Sequence, residues 1–186
     1  MAQREVYDMY APIMRGICLR YTGTAEAAKD MLQEGFIKVF TKISQYKGEG
    51  SFEGWIKRIM INTAISYHKS KKHINNVYLL DNVNNVGLKE EEEEMASMDC
   101  NIKENEFNYE AALSADLNKE ELLSILNSIA EPFKLVFNLF YLEDYKHKDI
   151  AQLLNIDENT SRSRLSRARK LIQKELYKRV LEKVTA

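Results

Sequence analysis

Glycine and proline are scarce in this chain, whose 186 residues include seven glycines and two prolines. Long stretches rich in Leu, Ile, Lys, Glu and Ala also lack the alternation of polar and apolar residues that is typical of strands. Because 45% of the residues are hydrophobic, the chain can still bury a sizeable core. We therefore expect an all-α protein with one large domain or two small ones.

Cysteine is also rare, and Cys18 and Cys100 have no second thiol or histidine at metal-ligand spacing. The sequence therefore indicates neither a disulfide framework nor a zinc site, and we expect Cys18 to be a small buried side chain. The Asp, Glu and His residues form no recognisable nucleophile, metal or acid-base set, so neither an enzyme nor a cofactor is predicted. The three histidines, His68, His73 and His147, lie in basic polar stretches and are expected to be solvated.

The sequence also lacks features that direct a chain to or through a membrane. Its first residues, MAQREVYDMY, have neither the basic head nor the apolar run of a signal peptide. No apolar stretch approaches the roughly 20 residues that span a bilayer. We expect a cytoplasmic protein with no stable membrane insertion and no small-molecule substrate.

Net charge is near zero, at −1, but the charge is unevenly distributed along the chain. Residues 1–74 carry 12 Lys and Arg against 7 Asp and Glu (+5), and residues 75–115 carry 2 against 10 (−8). Residues 116–186 carry 13 against 11 (+2), and within them residues 158–186 carry 9 against 3 (+6). Two basic regions that flank one acidic stretch indicate two domains and a linker.

The predicted linker, residues 75–115, is rich in Asn and contains five consecutive glutamates, Glu90 to Glu94. Its helical periodicity fades, so it buries little apolar surface and should be flexible. The acidic run is either a solvated connector or a phosphate mimic that discourages DNA binding. The charge count leaves both interpretations open.

Apolar residues at steps of three and four predict three helices in the first domain. The first helix ends at Gly23, the second carries an apolar stripe over residues 28–43, and the third begins after Ser51, a suitable N-cap. The third helix ends in a basic stretch around Tyr67 and Lys69. Such a mixture suits a single-stranded nucleic acid, because cations follow the backbone and rings stack on bases, but a solvated helix end would look the same.

Residues 146–170, KHKDIAQLLNIDENTSRSRLSRARK, are typical of a helix-turn-helix. Ala151 is small where a second helix must cross closely, and Asn155 tolerates the left-handed backbone of the turn. Opposite the apolar side of the second helix lie polar and basic residues: Asn159, Ser163, Ser166, Arg167 and Lys170, flanked by Arg162 and Arg169. This face fits a DNA major groove, whereas an ordinary solvated helix face is the alternative.

These motifs resemble those of extracytoplasmic-function (ECF) RNA polymerase sigma factors. Residues 124–176 are similar to the family's minus-thirty-five-binding domain, KDMLQEGFIKVF to its core-polymerase-binding helix, and FEGWIKRIMINTAISYHKSKK to its minus-ten-binding helix. The resemblance implies an all-α fold of two small helical domains joined by the acidic flexible linker. Residues 1–74 would be sigma region 2, and residues 116–186 would be the winged-helix-like helix-turn-helix of sigma region 4.

The resemblance also implies three sets of site residues. The core-polymerase-binding set is Asp30, Gln33 and Glu34. The minus-ten DNA-binding set is Phe52, Trp55, Lys57, Arg58, Asn62 and Lys69. The minus-thirty-five DNA-binding set is Asn159, Thr160, Arg162, Ser163, Arg164, Ser166, Arg167 and Lys170. The implied partners are core RNA polymerase, promoter DNA and an anti-sigma factor.

Three residues depart from the family's common pattern: Asn155 stands where Gly is usual, Ser161 where an aliphatic residue is usual, and Ser66 where Asp is usual. The first two departures are expected to loosen the packing of the second domain. The third affects the details of minus-ten recognition.

A stand-alone helix-turn-helix activator is the main alternative function. Such a protein would normally dimerise on a palindrome and carry an α/β receiver domain. Residues 1–74 offer neither parallel-strand runs nor a phosphorylatable acidic pocket. A purely structural helical adaptor is a second alternative, and co-purification with core polymerase would separate it from a sigma factor.

Overall fold

Residues 2–80 and 117–185 are the part of the chain that this computed structural model describes. Within these two ranges there is no β-strand, so the predicted all-α fold is confirmed and the helix-turn-helix has no β wing there. The predicted linker, residues 75–115, lies outside the described residues except where the third helix continues into it. No described helix is both long and apolar enough to cross a bilayer.

Three long helices form the first domain: α1 (Ala2–Thr22), α2 (Ala25–Lys42) and α3 (Phe52–Leu80). A 3-10 turn, Ile43–Gln45, follows α2. Helix α3 extends past residue 74, where the sequence predicted the end of the first domain. The first domain is thus a three-helix unit whose third helix ends at Leu80.

Local chemistry sets the breaks between these helices. Gly23 ends α1 in the left-handed region, at φ 81°, which costs a residue without Cβ little. The hydroxyl of Thr24 accepts a hydrogen bond from the Ala27 N–H at 3.3 Å, and the Ser51 hydroxyl accepts one from the Gly54 N–H at 3.0 Å. The predicted end at Gly23 and the predicted N-cap at Ser51 are both confirmed.

The second domain contains four further helices and one irregular turn. They are α4 (Lys119–Ser128), α5 (Glu131–Phe137), α6 (His147–Leu154) and α7 (Glu158–Thr185). A π-helical turn, Asn138–Leu142, follows α5 directly. The pair α6 and α7 is the predicted helix-turn-helix.

The turn of this helix-turn-helix depends on Asn155. Its backbone lies in the left-handed region, at φ 54° and ψ 55°, as the sequence predicted. The N–H of Ile156 then donates to the carbonyl of Ala151 at 3.0 Å, which closes the end of α6. Asn155 therefore adopts a backbone conformation for which Gly is the usual residue.

The larger of two apolar clusters spans both domains, and a smaller one lies within the second domain. In the larger cluster, buried residues of the first domain contact buried residues of the second; its members include Met14, Cys18, Tyr21, Phe36, Ile56, Met60, Val136, Leu139, Ile150 and Leu165. Cys18 is fully buried, as expected, and burial raises its thiol pKa to about 11. The two domains are therefore packed together, not merely tethered.

The crossing of α2 and α3 is tight at Gly35, where a Cβ atom would lie 2.2 Å from the sulfur of buried Met60. We expect Gly35→Ala to lower the free energy of unfolding by about 1 to 3 kcal/mol, because the core is close-packed. In Gly16→Ala, by contrast, the added methyl meets nothing within 4 Å, and better helix propensity should stabilise the chain by about 0.5 to 1 kcal/mol. Urea denaturation of both variants measures the difference, and equal effects would contradict this close crossing.

Candidate polymerase and nucleic-acid interfaces

The predicted core-polymerase-binding residues lie together on the exposed face of α2. Asp30, Gln33 and Glu34 are all exposed, and their steps of three and four residues place them on one side of the helix. The opposite side of α2 carries the buried residues Ala28, Met31, Leu32, Gly35, Phe36 and Val39. Substitutions in the exposed set should therefore leave the core undisturbed.

Ile37 belongs to the same surface, although the sequence reasoning did not include it. It lies one turn beyond Gln33 and Glu34, and 66% of it is exposed. Beside it, the ammonium of Lys38 lies 2.6 Å from the Glu34 carboxylate. An exposed aliphatic residue at this helical spacing is the signal that could have identified it. We call Asp30, Gln33, Glu34 and Ile37 the α2 patch.

Four of the predicted minus-ten residues follow one line along α3. Trp55, Arg58, Asn62 and Lys69 are separated by three, four and seven residues, so they share a face. Arg58, Asn62 and Lys69 are exposed and Trp55 is partly buried. We call these four residues the α3 stripe; they combine a ring, an amide and two cations.

Phe52 lies one turn before the α3 stripe, inside an aromatic cluster. Its ring stacks on that of Trp55, with centroids 5.7 Å apart and an interplanar angle of 14°. Tyr46 contacts both rings at 5.1 and 5.6 Å, and Tyr10 meets Phe52 edge-on. The Tyr46 hydroxyl donates to the Gly50 carbonyl at 2.8 Å, which pins the loop before α3.

Lys57 is the one predicted minus-ten residue that points elsewhere. It lies on another side of α3 and forms an ion pair with Glu143 of the second domain, with Nζ 2.7 Å from Oε2. The same carboxylate accepts a hydrogen bond from Arg20 at 2.6 Å. No sequence pattern predicts this arrangement, because Arg20 and Glu143 are separated by 123 positions.

The predicted minus-thirty-five residues lie on α7, the second helix of the helix-turn-helix. Asn159, Ser163, Ser166 and Lys170 are exposed along the middle of one face. Arg162 and Arg167 border this face on its two sides. Ser161, Leu165 and Ala168 on the opposite side are buried. The structure therefore brings short polar side chains and cations to one outward surface, which we call the α7 face.

The remaining cations of α7 differ in their surroundings. Arg162 is paired with Glu158 one turn earlier, at 2.5 Å. Arg169 lies over the ring of Tyr141, 5.3 Å from its centroid, in a cation–π contact within the domain. Thr160 and Arg164 are partly buried and lie toward the protein side of the helix. They are farther from the centre of the α7 face than the sequence suggested.

Ser161 is fully buried and has a partner in the other helix of the motif. Its hydroxyl lies 2.9 Å from Nδ1 of His147, whose ring stacks on Phe140. Burial, with the charge of Arg162 as a second cause, lowers the His147 pKa below its ordinary value. Ser161 stands at a position expected to be aliphatic, and its buried hydroxyl has a hydrogen-bond partner in His147. His147 is therefore only partly solvated, and not the fully solvated imidazole that the sequence predicted.

His68 also differs from its predicted environment. Only 6% of it is exposed, and its ring lies against the carboxylate of Glu131 in α5. The expectation of a solvated imidazole is therefore wrong here, because the second domain covers this side of α3. The side chain of His73 lies outside the described residues.

Metal-binding geometry is not found in the described part of the chain, where no three His, Cys, Asp or Glu side chains cluster suitably. The described surfaces instead suit macromolecules: an acidic and apolar patch on α2, a mixed aromatic and basic stripe on α3, and a polar and basic face on α7.

Comparison with known proteins identifies both halves of the chain. The model of sigma-70 region 2 matches residues 6–74, and that of sigma-70 region 4 matches residues 119–172. The chain is 28% identical over 169 residues to the ECF RNA polymerase sigma-E factor of Haemophilus influenzae, covering 90% of this chain and 83% of that relative. It is 25% identical over 172 residues to the ECF sigma factor SigW of Bacillus subtilis, covering 92% and 87%.

A solved structure has the same fold. The sigma factor RpoE of Bartonella quintana, determined in complex with the anti-sigma factor NepR, matches with a TM-score of 0.54 at 18% identity, over 94% of this chain and 96% of that one. Both sigma regions match, and they occur in the expected order. The relatives match over most of their length and share one function. This combination identifies a family more specifically than a lone helix-turn-helix does. This chain belongs to the sigma-70 family and is an extracytoplasmic-function RNA polymerase sigma factor.

Proposed function

We propose that this sigma factor divides promoter recognition among three separate surfaces. The α2 patch binds core polymerase, the α3 stripe binds the melted minus-ten strand, and the α7 face binds the minus-thirty-five duplex. The observation that carries this proposal is the separation of these surfaces on three helices, each with exposed residues of matching chemistry. The chain itself catalyses no reaction, and it acts in the cell interior beside the polymerase.

Strand binding by the α3 stripe follows from its composition. Arg58 and Lys69 supply cations that follow a phosphate backbone, Asn62 supplies donors and an acceptor for base edges, and Trp55 supplies a ring. Unpaired bases held in this way offset the energetic cost of melting the duplex. The aromatic cluster around Phe52 packs the start of the α3 stripe against the loop between Tyr46 and Gly50. An unpaired base would be held beside this loop.

Duplex binding by the α7 face follows the usual geometry of a recognition helix. The residues near its N-terminal end reach base edges in the major groove, and later residues reach phosphates. The guanidinium of Arg162 must leave the Glu158 carboxylate before it contacts DNA, because the carboxylate and the DNA compete for it. This exchange is inexpensive, because the pair is exposed and a surface ion pair contributes little.

We also propose regulation by an anti-sigma factor. The Bartonella RpoE structure contains such a partner, and this chain shares its fold. A partner that covers the α2 patch and the α7 face would prevent both core binding and DNA binding.

The test of this function is transcription in vitro with core polymerase, with and without the chain, from a library randomised at the minus-thirty-five element. We expect start sites that depend on both components. Replacing Arg162 or Arg167 with Ala should cost about 1 to 3 kcal/mol on the best promoter and relax base preference at one or two positions, if that side chain bonds a guanine. Lys170→Ala should weaken all sequences alike and reduce the salt slope by about one unit.

The control for these variants is the parent chain on the same library at several salt concentrations. If both arginine variants keep the parent's base preferences while Lys170→Ala changes them, the α7 face is docked differently. Tight specific binding by the free chain, unchanged by core polymerase, would favour a stand-alone activator instead.

A further inference from the structure

The side chain of Glu143 is completely buried, yet it comes from the short segment just after the π-helical turn of the second domain. Its two oxygens meet two different cations of the first domain. Oε1 accepts from Nη2 of Arg20 at 2.6 Å, and Oε2 lies 2.7 Å from Nζ of Lys57. Arg20 is in the last turn of α1 and Lys57 is near the start of α3. One carboxylate thus bridges both helices.

The two cations are held by the first domain alone, so they remain together if the second domain moves away. With Glu143 in place, 28% of the Arg20 side chain and 37% of the Lys57 side chain are still exposed. Without Glu143, two positive charges would face solvent at a spacing that suits two oxygens of one anion. Their mutual repulsion favours binding of such an anion.

Glu143 does not use all the donors at this site. The Nε–H of Arg20 is buried and has no hydrogen-bond acceptor among the residues that the structure describes. A guanidinium offers Nε–H and Nη–H as a fork that fits two oxygens of a phosphate. The site therefore has a donor left for an anion with more oxygens than a carboxylate.

The second domain positions Glu143 through a second contact with the same residue. The fully buried side chain of Asn138 donates from Nδ2 to the backbone carbonyl of Arg20 at 3.1 Å. The Glu143 N–H in turn donates to the Asn138 carbonyl at 3.1 Å, across the π-helical turn. This turn therefore holds both of the groups that engage Arg20, and π-helical insertions are frequent at functional sites.

The site adjoins the α3 stripe. Lys57 and Arg58 line one side of a cavity between the domains, and the other side carries acidic residues of the second domain; the lining is Gly54, Lys57, Arg58, Ile61, Glu143, Asp144, Tyr145 and Asp149. Arg58 is also a member of the stripe. Glu143, Asp144 and Asp149 thus lie opposite the cations that adjoin the proposed strand-binding surface.

From this geometry we propose that Arg20 and Lys57 form a binding site for a DNA backbone phosphate, which the Glu143 carboxylate occupies while the two domains are packed together. Binding of DNA and packing of the second domain then compete for the same two cations. The ligand is DNA rather than another anion because Lys57 shares its cavity with Arg58, a member of the α3 stripe. This inference rests on the proposed role of that stripe.

The test measures binding of the free full-length chain to a fluorescein-labelled DNA duplex of arbitrary sequence, by fluorescence anisotropy at several salt concentrations. Glu143→Gln should bind about tenfold more tightly than the parent, because it frees both cations. Adding Arg20→Gln to that variant should remove most of this gain and lower the salt slope by about one unit. The matched control is Glu175→Gln, which removes the same charge from an ion pair within α7.

Glu143→Asp provides a variant with unchanged charge. Its shorter side chain cannot reach both cations, so DNA affinity should rise, though less than in Glu143→Gln. Circular dichroism establishes that each variant is folded. Equal gains in Glu143→Gln and Glu175→Gln, or a salt slope that Arg20→Gln leaves unchanged, would overturn the phosphate site.

Transcription with core polymerase separates this inference from the proposed function. If initiation by the parent chain requires core polymerase but the anisotropy results are negative, the phosphate site is wrong and the proposed function stands. If the parent chain supports no core-dependent initiation, the proposed function fails whatever the anisotropy shows.

Discussion

Reversing two charges of the α2 patch, in an Asp30→Arg, Glu34→Arg variant, is expected to lower the affinity for core polymerase by at least about 100-fold and to abolish promoter-directed transcription. Replacing a charge that matches its partner by one of the same sign costs several kcal/mol at an interface. A loss of about 2.7 kcal/mol already corresponds to 100-fold. The same variant should unfold at nearly the parent's temperature.

The fold should survive because both residues are exposed and lie opposite the buried side of α2. The one described ion pair of this patch joins Glu34 to Lys38 outside it, and both side chains are at least partly exposed. Surface pairs of this kind contribute between 0 and about 1 kcal/mol, so their loss cannot unfold the chain. A selective loss of core binding would therefore report on the interface and not on stability.

The measurement is equilibrium binding of the labelled chain to core polymerase, with thermal unfolding followed in parallel. A Glu5→Arg, Asp8→Arg variant makes the same change in net charge on exposed residues of α1. It should retain most of its core affinity. Full core affinity in the Asp30→Arg, Glu34→Arg variant would place the polymerase interface elsewhere.

The individual helices could be predicted from the sequence because their signals are local. Gly23 and Ser51 mark helix ends through their own backbone and side-chain chemistry. Asn155 marks the turn between α6 and α7 because few other residues tolerate its backbone conformation. The stripe of apolar residues on α2 likewise determines which side is buried and which residues form the α2 patch.

The packing of the two domains could not be predicted in this way. The contact between Arg20 and Glu143 joins residues 123 positions apart, and no short motif records such a pair. Periodicity placed Lys57 on α3 but could not reveal that a carboxylate from another domain lies beside it. His68 is buried for the same reason, since Glu131 of α5 covers it.

The departures from the family pattern illustrate a further limit. Taken alone, Ser161 indicates a weakened core, because a hydroxyl replaces an aliphatic side chain. In the fold, His147 satisfies that hydroxyl across the helix-turn-helix. A compensating pair of this kind is visible only when both helices are placed, so a comparison of single residues cannot show that the hydroxyl has a partner.

Tyr21→Ala is expected to lower the free energy of unfolding by about 3 to 5 kcal/mol, the largest effect on stability that we predict. Among the described residues, Tyr21 is the largest fully buried side chain, and it lies at the end of α1 in the apolar cluster that both domains share. Its removal leaves a cavity that close-packed neighbours cannot fill. Urea denaturation measures this loss, and a change below about 1 kcal/mol would show that the core is looser than the structure indicates.

Tyr21→Phe is the matched variant, because it keeps the ring and removes only the hydroxyl. This hydroxyl is buried and has no hydrogen-bond partner within the described residues, so its removal should change stability by less than about 1 kcal/mol at neutral pH. Burial, with the charge of Glu143 as a second cause, raises the pKa of Tyr21 above its ordinary value of 10.0. The unfolded chain therefore loses this proton first as the pH rises, and the parent loses stability above pH 10. Tyr21→Phe should lose less stability over that range; an identical decline in both proteins would contradict the burial of this hydroxyl.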